Sequence, residues 1–260
     1  PRGGHLSLPA PGGRPWTVIQ TERSTVLLPE IESLCCGLKA LGEIHLVLVE
    51  SKNRPLSRLW NNLMETYHYL GDGPLCGAQM RYGVESSAYG WVGGMAFSAA
   101  AWRVAPRDRW IGWREEARKA NLGKVVCNSR FLLVPRIAHL ASHVLSMSAR
   151  RVKQDWFNRY GVSPVLLETY VEQDRFAGIC YRAANWFHVG STQGRGRQDR
   201  DHTYSSPIKK MYLYALEPDA RKLLCREPQP EEGKFQRHQK RLSEEWAEEE
   251  LGQSDMGDRR

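Results

Sequence analysis

The residues of this sequence best suited to chemistry are few, and most are arginines. Gly194-Arg195-Gly196-Arg197, followed by Arg200, sets guanidiniums on a glycine-rich path. There the backbone can turn tightly and each planar fork can meet phosphate oxygens, so the segment reads as an anion-binding loop or as a solvated one. Arg130 stands in the apolar run NSRFLLVP, where a charge is costly unless paired. Glu168, in the apolar run VLLETY, is its natural partner on a neighbouring strand, giving either a structural ion pair or a general base whose pKa burial raises. Trp186 offers a face for stacking on a base or for packing beside a sheet. His139 and His143 have the i, i+4 spacing of two metal ligands on a helix, but Leu140 stands where a metalloprotease helix carries its glutamate. Nothing in the spacing of Asp155, Glu168 and Asp199 singles them out as a metal-binding triad, and no metal is expected.

Charge agrees with an anionic partner. The net charge is +8, and residues 101–200 hold 18 Lys/Arg against 8 Asp/Glu, whereas residues 231–260 hold 6 against 9. A basic body with an acidic tail points first to nucleic acid, and this term gives affinity without specificity. The six cysteines include no C-x-x-C pair, which argues against a zinc ribbon or a disulfide framework and suits thiols in a reducing cytoplasm. No apolar run approaches the roughly 20 residues of a membrane span, and the opening PRGGHLSLPAPGGRPW lacks the pattern of a signal peptide. The chain begins without Met, so it is expected to be a fragment or a processed form.

The elements that must position these residues follow from periodicity. Residues 1–40 are expected to be partly disordered, with a Pro/Gly-rich start and a helix-like apolar rhythm over 24–41. Residues 44–49 read as a buried strand, and 57–71 as a helix in which Leu59, Leu63, Tyr67 and Leu70 share a face before Gly71. Strands over 78–84 and 90–97 form a hairpin. A polar helix over 112–122, a strand over 128–135, a long helix over 139–156 and a strand over 165–171 come next. A turn or short helix over 178–186 precedes two last strands, 187–191 and 211–216. This order predicts an α/β (α+β) domain over 41–217 with a mixed central sheet flanked by helices. A linker over 218–243 and a separate segment, 244–260, complete the chain.

Three stretches resemble the DruA family (Druantia anti-phage system protein A): LWNNLMETYHYLG with GAQMRYGV, then RDRWIGW, then the ordered motifs from NSRFLLVP through DWFNRYGVSPVLLETYV to RFAGICYRAANWFHVGSTQGRGRQDR. The resemblance runs from about Leu59 to Leu216. It implies a phage-defence protein, or the N-terminal part of an insertion-sequence transposase. The segment EEWAEEELGQSDMGDRR resembles the W-x-x-x-E-[FL]-G-x-x-x-[LM]-G-D-x-R-R opening of cut-and-paste DDE transposases, whose catalytic domain would lie beyond Arg260. The element order also resembles the GNAT acyltransferase fold, in which a helix N-terminus holds the pyrophosphate of coenzyme A. The corresponding stretch here, 134–142, has no glycine, and Arg136 is its one fixed cation. That resemblance makes Tyr181, in ICYRAANW, a general-acid candidate beside Glu168, although core packing would equally account for it.

The expectation is a DNA-associated accessory domain of a mobile-element transposase, binding phosphates through Arg195, Arg197, Arg200 and Arg136. A GNAT-like transferase acting on a nucleobase or protein amine, with coenzyme A as cofactor, is the alternative from another class. A phage-defence subunit working beside a helicase is the third.

Overall fold

The computed structural model describes residues 19–21, 24–26, 34, 36–75, 77–193 and 207–227. Two three-residue strands, β1 (Ile19–Thr21) and β2 (Ser24–Val26), pair antiparallel, and residues 38–41 form a 3-10 turn. Of the helix-like stretch expected over 24–41, the first three residues are a strand and the last four a short turn, and most of the rest lies outside the described residues.

Seven strands build the main sheet: β3 (Ile44–Val49), β4 (Gln79–Ser86), β5 (Gly90–Ala99), β6 (Val125–Leu133), β7 (Leu166–Glu172), β8 (Phe187–Ser191) and β9 (Lys209–Ala215). Their order is β3-β4-β5-β6-β7-β9-β8. The sheet is mixed, with β6 parallel to β7 and antiparallel pairing at β3/β4, β7/β9 and β8/β9. The α/β architecture expected from the sequence is thus present. The helices are α1 (Arg54–Tyr67), α2 (Ala105–Ile111), α3 (Glu115–Asn121), α4 (Leu140–Tyr160), α5 (Ile179–Ala183) and α6 (Ala220–Leu224). A parallel pair needs a crossover, and the 21-residue α4 supplies it between β6 and β7. None of the described helices is long and apolar enough to cross a membrane.

Two compact units share the strands: Pro1–Pro74, Arg81–Met95 and Arg130–Leu140 form the first, the remainder the second. In the first, α1 begins three residues earlier than periodicity suggested. Asn53 caps it by accepting the Leu56 N–H (3.3 Å), and Pro55 sits in its first turn, where a missing N–H is harmless. Its apolar stripe buries Leu59, Trp60, Leu63 and Met64, and the Trp60 indole donates to the Tyr82 carbonyl of β4 at 3.2 Å. The seating is close: a Cβ at Gly94 would lie 2.9 Å from the Met64 methyl, which would have to shift.

In the second unit, Ile111, Val125, Leu166, Met211, Leu213, Ala220 and Leu224 form one apolar cluster. α4 contributes Val144, Leu145, Ala149, Val152 and Trp156 to the buried side chains, spaced as one helical stripe. The polar helix expected over 112–122 is present as α3, Glu115–Asn121; α2 before it was not expected, and Gly112 ends it in a left-handed conformation (φ +78°). Asn121, 3% exposed, ties this region to the far end of the domain: its amide donates to the carbonyls of Ala117 (3.0 Å), Leu224 (3.1 Å) and Arg226 (2.7 Å).

The first unit also contains a titratable weak point. His68, just past α1, accepts the Leu70 N–H on Nδ1 (3.2 Å), which requires the neutral ring. Burial, helped by the Arg130 guanidinium, lowers its pKa from 6.5 to about 4. The unfolded chain therefore binds the proton that the folded chain refuses in this interval, so stability is full above pH 6.5 and falls as the pH drops toward about 4. Urea midpoints across that range should show the loss, and His68→Asn, which keeps an acceptor but does not titrate, should flatten it.

Candidate functional site

Pro106 opens α2, and Asp108 secures that turn by accepting the Val104 N–H on Oδ2 at 2.9 Å. The helix so started turns Arg107 inward until it is 0% exposed. Its guanidinium donates four hydrogen bonds. Nε donates to Asp108 Oδ1 (2.9 Å), Nη1 to the Ala101 carbonyl (2.8 Å) and to Glu168 Oε2 (3.1 Å), and Nη2 to the Trp102 carbonyl (3.3 Å), with Asp108 Oδ1 also 2.9 Å away. The Trp113 ring lies 5.5 Å from the guanidinium carbon, and its indole donates to Asp108 Oδ1 at 3.2 Å.

Glu168 is equally buried. The β-register sets it between Cys127 and Leu213, and its second oxygen, Oε1, accepts the Tyr170 hydroxyl at 3.0 Å. Burial raises the pKa of Glu168 and the Arg107 charge opposes the rise. Burial and the Glu168 charge together hold the Tyr170 phenol protonated, so it remains a donor. The ion pair expected between Arg130 and Glu168 is corrected here: the partner is Arg107. The parallel register stops at Asn128↔Thr169, which puts Cys127 rather than Arg130 beside Glu168. Arg130 instead donates to the carbonyls of Gly71 (3.4 Å) and Gly73 (3.3 Å).

A second buried polar group lies one residue further along the same strands. The Tyr181 hydroxyl donates to Asn128 Oδ1 at 2.7 Å, and Thr169 Oγ1 lies 2.9 Å from the Asn128 carbonyl and 3.3 Å from the Tyr181 oxygen. The Asn128 amide donates to the Ala96 carbonyl at 3.1 Å. Tyr181 stacks on Tyr212 (5.9 Å) and meets Trp186 edge-on (5.2 Å). Gly178 permits this assembly, since its left-handed turn (φ +70°) brings it where a Cβ would stand 2.5 Å from the Tyr212 hydroxyl. Tyr181 and Glu168 thus belong to two separate hydrogen-bonded groups, and each reacting atom is occupied by a neighbour. Trp186 is 2% exposed, packed between Tyr181 and Tyr214, so it offers no face to a base.

The exposed side of the second unit is different. At the end of β8 and the start of β9, the Thr192 N–H donates to the Lys209 carbonyl (2.9 Å) and the Lys209 N–H to Thr192 Oγ1 (3.0 Å). Every path from β8 to β9 starts and finishes at this clasp. Arg195, Arg197, Asp199 and Arg200 lie between its ends and outside the described residues. Beside the clasp, the Gln173 N–H donates to the Ile208 carbonyl (3.2 Å), which brings the chain after β7 alongside. Lys209 and Lys210 are half-buried and Arg182 is exposed.

Arg136 is exposed, in the first unit, within the turn 134–139. That turn is where the acyltransferase resemblance would seat a pyrophosphate. His139 occupies the left-handed region (φ +65°) that glycine adopts without strain, and it precedes α4 rather than sharing it with His143. The turn has no glycine and Pro135 has no N–H, so it lacks the glycine-rich amide cradle that a pyrophosphate would use. The residues present do not fit coenzyme A. Among the described residues no group of three or more His, Cys, Asp or Glu side chains is placed to hold a metal ion, and Asp155 pairs with Arg151 (2.9 Å).

Sequence reasoning missed Arg107. Its signal was present in PRDRW, an Arg-Asp pair directly after a helix-opening proline, but its partner stands 61 residues away.

A family model described as Druantia protein DruA matches residues 38–225. No curated protein matches. Among solved structures, the chain is similar to spermidine N-acetyltransferase from Vibrio cholerae in complex with CoA and spermine, at 10% identity, TM-score 0.40, covering 66% of this chain and 95% of that one. It is also similar to a putative acetyltransferase from Acinetobacter baylyi ADP1, at 11% identity, TM-score 0.40, covering 66% and 93%. At these values the likeness says nothing about substrate or chemistry.

The Arg107 assembly makes a stability prediction. Arg107→Met removes the charge that opposes protonation of the buried Glu168, which must then take up a proton or stay charged without its guanidinium, and should cost roughly 3–5 kcal/mol in urea unfolding. The double variant Arg107→Met/Glu168→Leu should recover most of that loss. An unchanged midpoint for the single variant would show that the pair is not what holds these elements.

Proposed function

The chain belongs to the DruA family, and on that premise we propose that it is a nucleic-acid-binding domain whose contact surface is the end of the sheet where β8 passes into β9. The observation that carries the reading is the Thr192–Lys209 clasp. It fixes both ends of a segment whose sequence holds Arg195, Arg197 and Arg200 with Gly194 and Gly196, beside Lys209 and Lys210. Short glycine-spaced arginines on a fixed base suit phosphate oxygens, and the Lys/Arg excess of residues 101–200 supplies the longer-range attraction. Glu168 and Tyr181 are given structural roles in this reading, because a general base needs an open lone pair and a path to substrate.

In cellular terms the domain serves the handling of foreign or mobile DNA. The likeness of segment 244–260 to the opening of DDE transposases favours an insertion-sequence setting, and the family's description favours phage defence. The surrounding genes separate the two: an in-frame transposase with spaced catalytic acidic residues, or neighbouring helicase or nuclease genes.

Binding to a fluorescent oligonucleotide should weaken steeply with salt. In Arg195→Ala/Arg197→Ala the slope of log affinity against log salt should fall by about 2, one for each lost phosphate contact. An unchanged slope would remove the clasp from the contact surface. Titration calorimetry with acetyl-CoA should give no binding heat; saturable heat lost on Arg136→Ala would instead favour the transferase.

A further inference from the structure

We infer that Trp102 is a stacking platform for an unpaired base, so that the nucleic acid this domain prefers is single-stranded; the inference rests on the nucleic-acid reading above. Trp102 is 50% exposed, more than any other described Trp or Phe. It is nevertheless held in place. The Arg118 guanidinium lies 5.4 Å from the centre of its ring, and Arg118 itself is only 8% exposed. Arg118 is fixed in turn by Glu115 and, at 3.9 Å, by Asp108. Its Nε is buried without a hydrogen-bond partner. The Trp102 carbonyl accepts from the buried Arg107. An indole backed by a cation and anchored through its own backbone is organised before any ligand arrives, which removes part of the ordering cost of binding.

The surroundings of Trp102 select the ligand. Arg103, next to Trp102 in sequence, has a 66% exposed side chain and pairs with Glu115 at 3.1 Å, while Arg109 on α2 and Arg114 just before α3 are exposed. A π-face beside cations is the arrangement that takes successive bases of a single strand while its phosphates run along the charges. A paired duplex keeps its base faces stacked and shows only edges in its grooves, so it cannot use the indole. The helix that follows Trp102 runs toward the strand that carries the clasp. α2 packs along β8, and a Cβ on Gly190 would stand 3.3 Å from Pro106. Gly190 is two residues from Thr192, where the arginine segment begins.

The test uses the full chain with two fluorescein-labelled probes, a 20-nucleotide oligo-dT and a blunt 20-base-pair duplex, by anisotropy at one salt concentration. The parent should bind oligo-dT more tightly than duplex. Trp102→Ala should lose about tenfold or more of the oligo-dT affinity, the size of one lost base stack, and less than twofold of the duplex affinity. Trp102→Phe should recover part of the loss. Thermal melting of the variants checks folding, and the side chain's exposure predicts little change. Equal binding of both probes by the parent, or an unchanged oligo-dT affinity in Trp102→Ala, would overturn the stacking role while leaving the phosphate reading intact. Absence of binding to either probe would overturn both.

Discussion

A guanidinium with no access to water organises the second unit of this protein. Arg107 could not be buried without partners on every side of its guanidinium, because an unpaired interior charge would cost more than its neighbours' packing returns. Two of the acceptors are main-chain carbonyls before α2, one is the neighbouring Asp108, and one is Glu168 on a strand 61 residues later. The helix, the segment before it and the middle of the sheet are thereby fixed to one point. The aromatic surface then follows, since the same carboxylate of Asp108 that meets Arg107 receives Trp113, and the carbonyl that meets Arg107 belongs to Trp102.

This arrangement separates what looks reactive from what is available. A glutamate in an apolar strand and a tyrosine on a short helix have the makings of an acid–base pair, yet each is turned to a neighbour and closed to solvent. Toward solvent the second unit exposes Trp102 on its Arg118 support together with Arg103, Arg109 and Arg182. Its hydrogen-bonded Glu168 and Tyr181 groups are kept inside as structure.

Much of the fold was legible in the sequence, and the reasons differ by element. β3 was marked by its branched residues, and α4 by a stripe repeating every three to four residues over five turns. The helix over 112–122 was legible from its polar run, whereas α2 was missed because seven residues ending at Gly112 show too little of a period. α6 is only five residues long and too short to show a period. The Arg130–Glu168 pairing failed for a geometric reason: sequence supplies two opposite charges in apolar strands, but only register decides which residues face each other. Trp186 and Trp102 were indistinguishable as letters, and burial assigned one to the core and the other to the surface.

Asn121 carries a consequence for how the molecule is made. Its side-chain amide closes on carbonyls of residues 224 and 226, more than a hundred positions downstream, and Leu224 completes the same apolar cluster. As the chain leaves the ribosome, α3 and the strands behind it must wait with this polar group unsatisfied until α6 has emerged. Closure of the second unit is therefore a late event in synthesis, and polypeptides ending before residue 226 would present an incomplete core to the cell's proteases rather than a smaller working domain.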